Sequence, residues 1–460
     1  MKRHKRWGIL FIVKLVLIAM IALDYGFIWY EFYLDQLYFK TFYFVGNFVV
    51  VFLAAFVYAI FARLYGVFML TISKVQNIIY SNAVSLFVTS IIMYTVSILL
   101  ERRLPNALPI ILFFVIGVLI GVFWANVAIV ITNRITPLTN ILLIYDNDEA
   151  RINGKAIIEK YPARYSLIGE KHVSDNIEDT IRAIKKYRPK SVMLCGIHSS
   201  PRNTILKYCV EKDITVYIRP NIGDFLVNSA TNVQMANLPV MICRGHQQTS
   251  LYLFLKRGID IVLAILGLIV FSPFMIITAI AIKLYDHGPV IYKQVRLTRD
   301  RKEFYVYKFR SMRVDAEKDG QARLASKNDD RITPVGKIIR AVRIDEMPQI
   351  FCILSGNMSI VGPRPERPEI AKEYEKKMPE FALRLKVKAG LTGYAQVYGK
   401  YNTEPYDKLQ MDLMYIANQS LVEDFKIIFA TIKILFMPES TEGVADQNPV
   451  KAEKANDGEV

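Results

Sequence analysis

The chain has 460 residues, 53% of them hydrophobic, and a formal charge of +16, which excludes a single small domain and a wholly soluble protein. Its basic residues gather in MKRHKR at the start, at Lys256-Arg257 and between Arg296 and Arg313, and two of these clusters directly flank apolar runs. That placement favours an anionic membrane surface and phosphate-bearing substrates, and argues against nucleic acid.

The basic start resembles a signal-peptide n-region. The apolar stretch behind it is too long and lacks a small-residue cleavage site, so it is read as a retained anchor. Four apolar segments, this one the first, precede residue 135, from about Gly8 to Tyr30, Phe42 to Ala62, Asn82 to Leu100 and Ala107 to Ile131. Each approaches the ~20 residues needed to cross a ~30 Å hydrocarbon core, so residues 1–135 are expected to form four transmembrane helices. Lys14 and Asp24 fall in the first span, and both are expected to reach headgroups from near its ends rather than mark an ion path. MKRHKR, Arg63 with Lys74, and Arg134 put the basic loops in the cytoplasm, a bias that Glu101-Arg102-Arg103 weakens without reversing. Four crossings then return the chain to the cytoplasm.

Residues 139–245 change character. NILLIY, YSLIG, SVMLCGI and ITVYIRP have strand length, and helix-compatible stretches such as NIEDTIRAIKKYRPK separate them. This alternation predicts a parallel sheet with helices on its faces, a Rossmann-like α/β domain. The turn after the first strand, YDNDEARINGK, lacks G-x-G-x-x-G and puts acids where a pyrophosphate would sit. A structural or regulatory role is therefore expected of this domain, not nucleotide binding. Cys195, Cys209, Cys243 and Cys352 show neither CxxC spacing nor a histidine at zinc-like distance, so all four are expected to be free, buried thiols.

The next apolar run extends from Gly258 to Leu284, with Ser272-Pro273 in its middle. Proline removes a backbone donor, so the helix should bend there, with the serine hydroxyl available to the freed carbonyl. Length alone allows a kinked span or a hairpin that enters and leaves on one face. A fifth crossing would put everything after Gly288 outside the cell. If those residues serve a cytosolic substrate, the segment 256–284 must be re-entrant.

VIYKQVRLTRDRKEFYVYKFRSM predicts two strands around a basic turn, with Lys308 and Arg310 on one face, suited to gripping a diphosphate or simply to a solvated strand edge. TPVGKIIRAVR predicts a short helix, and a second helix begins near Asp345, with Pro348 tolerated in its first turn. An acid at that terminus feels the positive end of the helix dipole and is expected to stay ionised. Successive helical residues point about 100° apart, so Asp345 and Glu346 can meet different partners, one attacking while the other holds a cation. Arg340 can offset their charge and hold substrate phosphate. Arg364, in Gly362-Pro363-Arg364-Pro365, can take a phosphate bidentately from a rigid turn, and KAGLTGYAQVYG adds backbone donors. An Asp-Glu pair alone is ordinarily a charged helix start, as at Asp148-Glu149.

Taken together, LKRGIDI, the Ser-Pro break, GPVIYKQVR, YKFRSM, RIDEMPQ, GNMSIVGPRPE and GLTGYAQVYG resemble, in order, the bacterial sugar transferase family of monotopic phosphoglycosyl transferases. The resemblance runs from Lys256 to about Phe436. The upstream spans and Rossmann-like domain resemble the larger members that initiate exopolysaccharide, capsule or O-antigen repeat units. The resemblance implies transfer of a sugar 1-phosphate from a UDP-sugar to a polyprenyl phosphate, undecaprenyl phosphate in bacteria, with release of UMP. Glucose or galactose is the first expectation for the sugar, with N-acetylated hexoses behind. By the motifs, Asp345 would be the nucleophile of an aspartyl phosphosugar intermediate and Glu346 would help bind Mg²⁺. Arg340 and Arg364, with Lys308 and Arg310, would contact phosphates. Lys256 and Arg257 would sit at the membrane surface, and Ser272-Pro273 would break a re-entrant helix. Two departures stand out: Ala389 where the family often has proline before Gly390, and His287 where a small residue is usual.

The expected fold is thus a membrane protein with an α-helical N-terminal bundle, an α/β Rossmann-like domain and an α+β catalytic domain over residues 251–437 with a re-entrant membrane helix. Its catalytic face is expected at the cytoplasmic side of the bacterial cytoplasmic membrane. The expected partners are a UDP-sugar, polyprenyl phosphate, membrane lipids and no nucleic acid, with further copies of the chain or polysaccharide-assembly proteins beside them. Leu421 to Phe436 is expected as an interfacial helix, and residues 438–460 as a disordered acidic tail. Two other classes compete. One is a membrane sensor or assembly scaffold with a degenerate transferase domain. The other is a small transporter, which would need paired polar residues inside the spans, where the sequence reads as poor in them.

Overall fold

The computed structural model describes residues 3–37, 44–71, 73–162, 164–173, 176–235, 238–243, 248–314, 331–399 and 403–435. The tail expected at 438–460 lies outside them. The chain forms two compact units, Met1–Asn221 and Ile222–Val460.

The first unit opens with α1 (Arg3–Ile28), α2 (Phe44–Leu64), α3 (Val75–Glu101) and α4 (Leu108–Ile135). All four are long and apolar enough to cross a membrane. Large side chains such as Phe11, Phe52, Phe56 and Phe123 point outward, while Leu17, Ile21, Tyr25, Tyr58, Leu86 and Phe113 fill the interior. That inside-out pattern suits lipid as solvent. α3 starts at Val75, ahead of the expected Asn82, because a helix satisfies its own backbone and tolerates Gln76, Asn77 and Ser81.

The bundle interior is more polar than the sequence reading allowed. Ser81, Ser85, Thr89 and Ser97 are buried along α3, each bonding the carbonyl four residues back. Asp24 does not reach the headgroups; it is buried, and its Oδ2 has no hydrogen-bond partner among the described residues.

The parallel α/β part has β1 (Thr139–Tyr145), α5 (Asp148–Glu159), β2 (Tyr165–His172), α6 (Ile177–Tyr187), β3 (Ser191–Cys195), α7 (Ser199–Glu211) and β4 (Thr215–Ile218). The strands are parallel in the order β2-β1-β3-β4. Leu142, Ile144, Val192 and Leu194 face one helical layer, and Ile141, Leu143, Met193 and Cys195 the other. The β1–α5 turn closes on itself, with the Asn147 side chain capping the helix by accepting from Ala150 N at 2.8 Å. Asp148-Glu149 is the plain charged helix start that the sequence suggested.

The sheet part ends at Asn221 rather than running to 245, because Ile222 packs in the core of the second unit with Leu409 and Leu413. The second unit begins with α8 (Ile222–Asn228) and an antiparallel hairpin of β5 (Thr231–Met235) and β6 (Leu238–Ile242). Then α9 (Ser250–Asp286) runs for 37 residues, also long and apolar enough to cross a membrane. It stays helical through Pro273: the carbonyl that proline leaves open, Ile269 O, is taken by Ser272 Oγ at 2.9 Å. The serine hydroxyl thus takes the freed carbonyl, as the sequence led one to expect.

One face of α9 lies on the unit along its whole length. Arg257 donates to Ile353 O and Leu354 O at 2.7 and 2.8 Å, Asp260 accepts from Ser359 Oγ and Ile360 N, and Ala264 joins a core with Phe304, Val306 and Ile350. Ile282 packs with Phe309 and Ile339 near the other end. The opposite face, including Val262, Ile269, Phe274 and Ile277, is exposed and apolar.

β7 (Ile291–Leu297) and β8 (Glu303–Phe309) form the predicted antiparallel hairpin around the basic turn. α10 (Pro334–Ala341) follows, capped by Thr333, and a 3-10 turn over Ile344–Gln349 leads into α11 (Ile350–Leu354). β9 (Met358–Val361) pairs in parallel with β10 (Ala389–Thr392), with α12 (Pro368–Lys377) between them. α13 (Tyr394–Tyr398), α14 (Pro405–Ala417) and α15 (Leu421–Leu435) close the unit. Ile427 of α15 is fully buried in that core, so this helix is anchored in protein along one side. Ala389 sits in β10, not in a turn, and its N–H donates to Thr298 Oγ1 at 3.1 Å. Cys195, Cys209 and Cys352 are buried free thiols, whereas Cys243 is exposed, because β6 ends at the surface just before it.

Candidate active site

The acid pair is placed by a sharp reversal. Arg343 takes a left-handed conformation (φ 56°) and turns the chain from α10 into the 3-10 turn that carries Asp345 and Glu346. That turn packs against β8, where Lys308 donates to Glu346 Oε1 at 2.7 Å. Arg364 reaches the same oxygen at 3.0 Å from the loop after β9.

Glu346 thus sits between two cations, and Asp345 does not. Burial opposes the charge on Glu346, but Arg364 and Lys308 outweigh it and hold the group well below the usual carboxylate range. Asp345 feels Lys308, Arg340 and Arg364 only through space; burial first, and then the charge of Glu346, push its carboxyl up to about 6. Asp345 thus stays mostly ionised near pH 7, as expected, but without the help of a helix dipole, since a single 3-10 turn has little, and against desolvation. Burial lowers Lys308 against the pull of Glu346, and Glu346 raises Arg364.

The two cations expected to act as a pair are divided. Arg310, just beyond the end of β8, is buried and makes a bidentate contact with Asp286, the last residue of α9. Gly288 makes room for it: a Cβ there would come within 2.7 Å of Arg310 Nη1. Arg340, in the last turn of α10, stands close enough to lower Asp345. Lys256 and Arg257 both bond within the protein. Lys256, 12% exposed, donates to Asp424 Oδ2 at 2.8 Å and to Tyr415 Oη at 3.3 Å. His287 closes α9 in a left-handed conformation, with its carbonyl accepting from Lys283 Nζ.

Several supporting residues escaped the sequence reading. Arg384 donates to Arg364 O at 3.0 Å and Arg296 to Pro365 O at 3.1 Å, so two arginines grip the backbone of the Pro-Arg-Pro turn. Arg384 is anchored by buried Asp412 at 2.7 Å and by Glu366 at 3.5 Å. Burial pushes Asp412 up to about 6 against the pull of Arg384. Gly362, Gly390 and Gly393 meet backbone to backbone, and a Cβ at any of them would overlap main-chain atoms of another segment. The glycines that suggested phosphate donors are needed for this crossing. No local signal marks Asp412 or Asp424 in the sequence, since their partners are far away along the chain.

Comparison with known proteins bears on this same region. The model of a family described as bacterial sugar transferase matches residues 251–438. The chain is 42% identical over 188 residues to UDP-N-acetylgalactosamine-undecaprenyl-phosphate N-acetylgalactosaminephosphotransferase of Aeromonas hydrophila, covering 40% of this chain and 44% of that one. It is 38% identical over 218 residues to UDP-glucose:undecaprenyl-phosphate glucose-1-phosphate transferase of Klebsiella pneumoniae, covering 46% and 47%. These two are matched over less than half of their length. Exopolysaccharide production protein PSS of Rhizobium leguminosarum bv. phaseoli is 40% identical over 191 residues, covering 39% of this chain and 94% of that protein. A relative matched almost end to end by the segment that carries the acid pair, the Pro-Arg-Pro turn and the crossed glycines shows that this chain belongs to the bacterial sugar transferase family.

Proposed function

We propose that the chain transfers a hexose 1-phosphate from a UDP-sugar to undecaprenyl phosphate, giving undecaprenyl-diphospho-sugar and UMP, to initiate exopolysaccharide or capsule synthesis. The observation that carries this is the division of labour in the acid pair: Glu346 is neutralised by Lys308 and Arg364, while Asp345 makes no hydrogen bond among the described residues, beside the same cations. Asp345 attacks the sugar-bearing phosphorus. The bond from that phosphorus to the bridging oxygen breaks, and the oxygen leaves with UMP. A phosphate oxygen of the lipid then attacks the aspartyl phosphosugar and returns Asp345 to its carboxylate. One phosphoanhydride replaces another, so no ATP is consumed.

Arg364 is half exposed, and Arg384 and Arg296 hold its backbone, so its guanidinium is positioned to take substrate phosphate. Arg340 serves the same charge through space. Arg310 acts at one remove, fixing the end of α9. Mg²⁺ suits this pair: it takes one or two carboxylates and completes its shell with phosphates and water. Glu346 would supply one, leaving Asp345 to attack, although no group of three or more His, Cys, Asp or Glu gathers among the described residues. When bound it supplies neutralisation of phosphate charge.

The catalytic unit lies at the cytoplasmic face, and α9 is re-entrant. This reading is supported by the two ends of α9, tied through Arg257 and through Asp286 to the same compact unit. A helix that crossed ~30 Å of hydrocarbon would separate them.

The test uses purified protein in lipid nanodiscs with Mg²⁺, undecaprenyl phosphate and a panel of UDP-sugars that includes glucose, galactose and N-acetylgalactosamine. Lipid-dependent UMP release with one sugar, absent in Asp345→Ala, is expected. No release with any sugar would favour the scaffold reading.

A further inference from the structure

The four-helix bundle holds a polar node that the transferase chemistry does not use. Tyr58 of α2 donates to Asn82 Oδ1 of α3 at 2.6 Å, and Asn82 Nδ2 donates to Gly117 O of α4 at 3.3 Å. The Asn82 amide lies so close over Gly121, one turn further along α4, that any Cβ there would overlap it. α1 completes the set: a Cβ on Gly117 would stand 3.5 Å from Asp24 Oδ2. Tyr58 and Asn82 are almost fully buried, Asp24 is 8% exposed, and its Oδ2 has no hydrogen-bond partner among the described residues.

Among the described residues nothing offsets a charge at Asp24. The only charged side chains of α2, α3 and α4 are Arg63, Glu101 and Arg134, each at the C-terminal end of its helix. On α1 itself Lys14 lies almost three turns toward the N-terminus, and the titratable neighbours, Tyr25 and Tyr58, bring no cation. An isolated carboxylate inside an apolar bundle is not sustained without a counter-charge. Across Gly117 the node offers the Gly117 carbonyl, the Asn82 side-chain amide and the Tyr58 hydroxyl, and Leu86 packs against the same glycine.

We infer that this node is a binding site for a small cation, a proton or an alkali-metal ion, held at Asp24. The site is independent of the transferase reading, because it lies in the other compact unit and shares no residue with the acid pair. It gives the bundle a chemical role besides anchoring.

The experiment labels the intact protein in nanodiscs with dicyclohexylcarbodiimide, which modifies carboxylic acids in apolar surroundings, and reads the α1 peptide by mass spectrometry. Modification of Asp24 is expected, and Asp24→Asn should remove it. If the occupant is a proton, the yield falls as pH rises and ignores which salt is present at constant ionic strength. If it is an alkali-metal ion, sodium or lithium suppresses the yield saturably at fixed pH where choline does not. Absence of label on Asp24 at every pH in choline buffer would overturn the site, as would a yield that ignores both pH and cation. Because the wild-type chain is itself the reagent, neither result depends on a variant folding. Loss of UMP release leaves this outcome untouched.

Discussion

At Asp345 the requirements of activity and stability oppose each other. Burial and Glu346 raise its carboxyl from 3.8 to about 6, so the folded protein holds that proton to higher pH than the unfolded chain does. Stability tied to this group is therefore present at low pH and is lost as pH rises from about 4 to about 6, while the attacking carboxylate appears over the same range. UMP release is expected to fall about tenfold per pH unit below about 6 as that group protonates. Asp345→Asn should abolish release yet stabilise the fold by on the order of 1–2 kcal/mol at pH 7.5, with partial exposure discounted. Thermal unfolding of the two proteins checks this, and a lower Tm for the variant would contradict it. These acids were legible in the sequence because their chemistry is local. Their electrostatics were not, since Lys308 and Arg364 come from separate elements.

The element scale explains the glycine-rich motif. Gly362, Gly390 and Gly393 let β9, β10 and the following turn cross with backbones touching, which presents Arg364 beside Glu346. Gly390→Ala should cost about 3 kcal/mol or more, because main chain rather than a flexible side chain must move. Ala389→Pro should cost only about 1 kcal/mol, the worth of its donation to Thr298 Oγ1. Chemical denaturation of both variants measures the difference, and equal losses would show that this strand is less tightly crossed than described. The hairpin of β7 and β8 and the helix α10 were readable from turn residues and proline placement. The hairpin of β5 and β6 was not, since Thr231–Met235 and Leu238–Ile242 are mostly exposed and carry no buried alternating face.

For the whole molecule, topology is the decisive prediction. Lys302→Cys, exposed in the turn between β7 and β8, should react with a membrane-impermeant maleimide only after permeabilisation. Arg103→Cys, exposed between α3 and α4, should react in intact cells. Both need Cys243→Ser as background, because Cys243 is the exposed thiol among four cysteines whose others are buried. Reaction of Lys302→Cys in intact cells would put the acid pair outside and end the proposed mechanism.

By itself, the sequence determined which segments are apolar over a membrane-spanning length, that a parallel α/β sheet follows the fourth span, and which acids, arginines and glycines form the transferase motif. Each rests on short-range pattern: hydropathy over ~20 residues, alternation, or a fixed spacing. Only the tertiary structure decided what those residues do to one another. It turned Lys256 inward onto Asp424, 168 residues away, assigned Arg310 to Asp286 and left Asp24 buried without a partner. Pairings of that kind depend on which surfaces meet once apolar area is buried, and charge at such distances along the chain leaves no periodic trace.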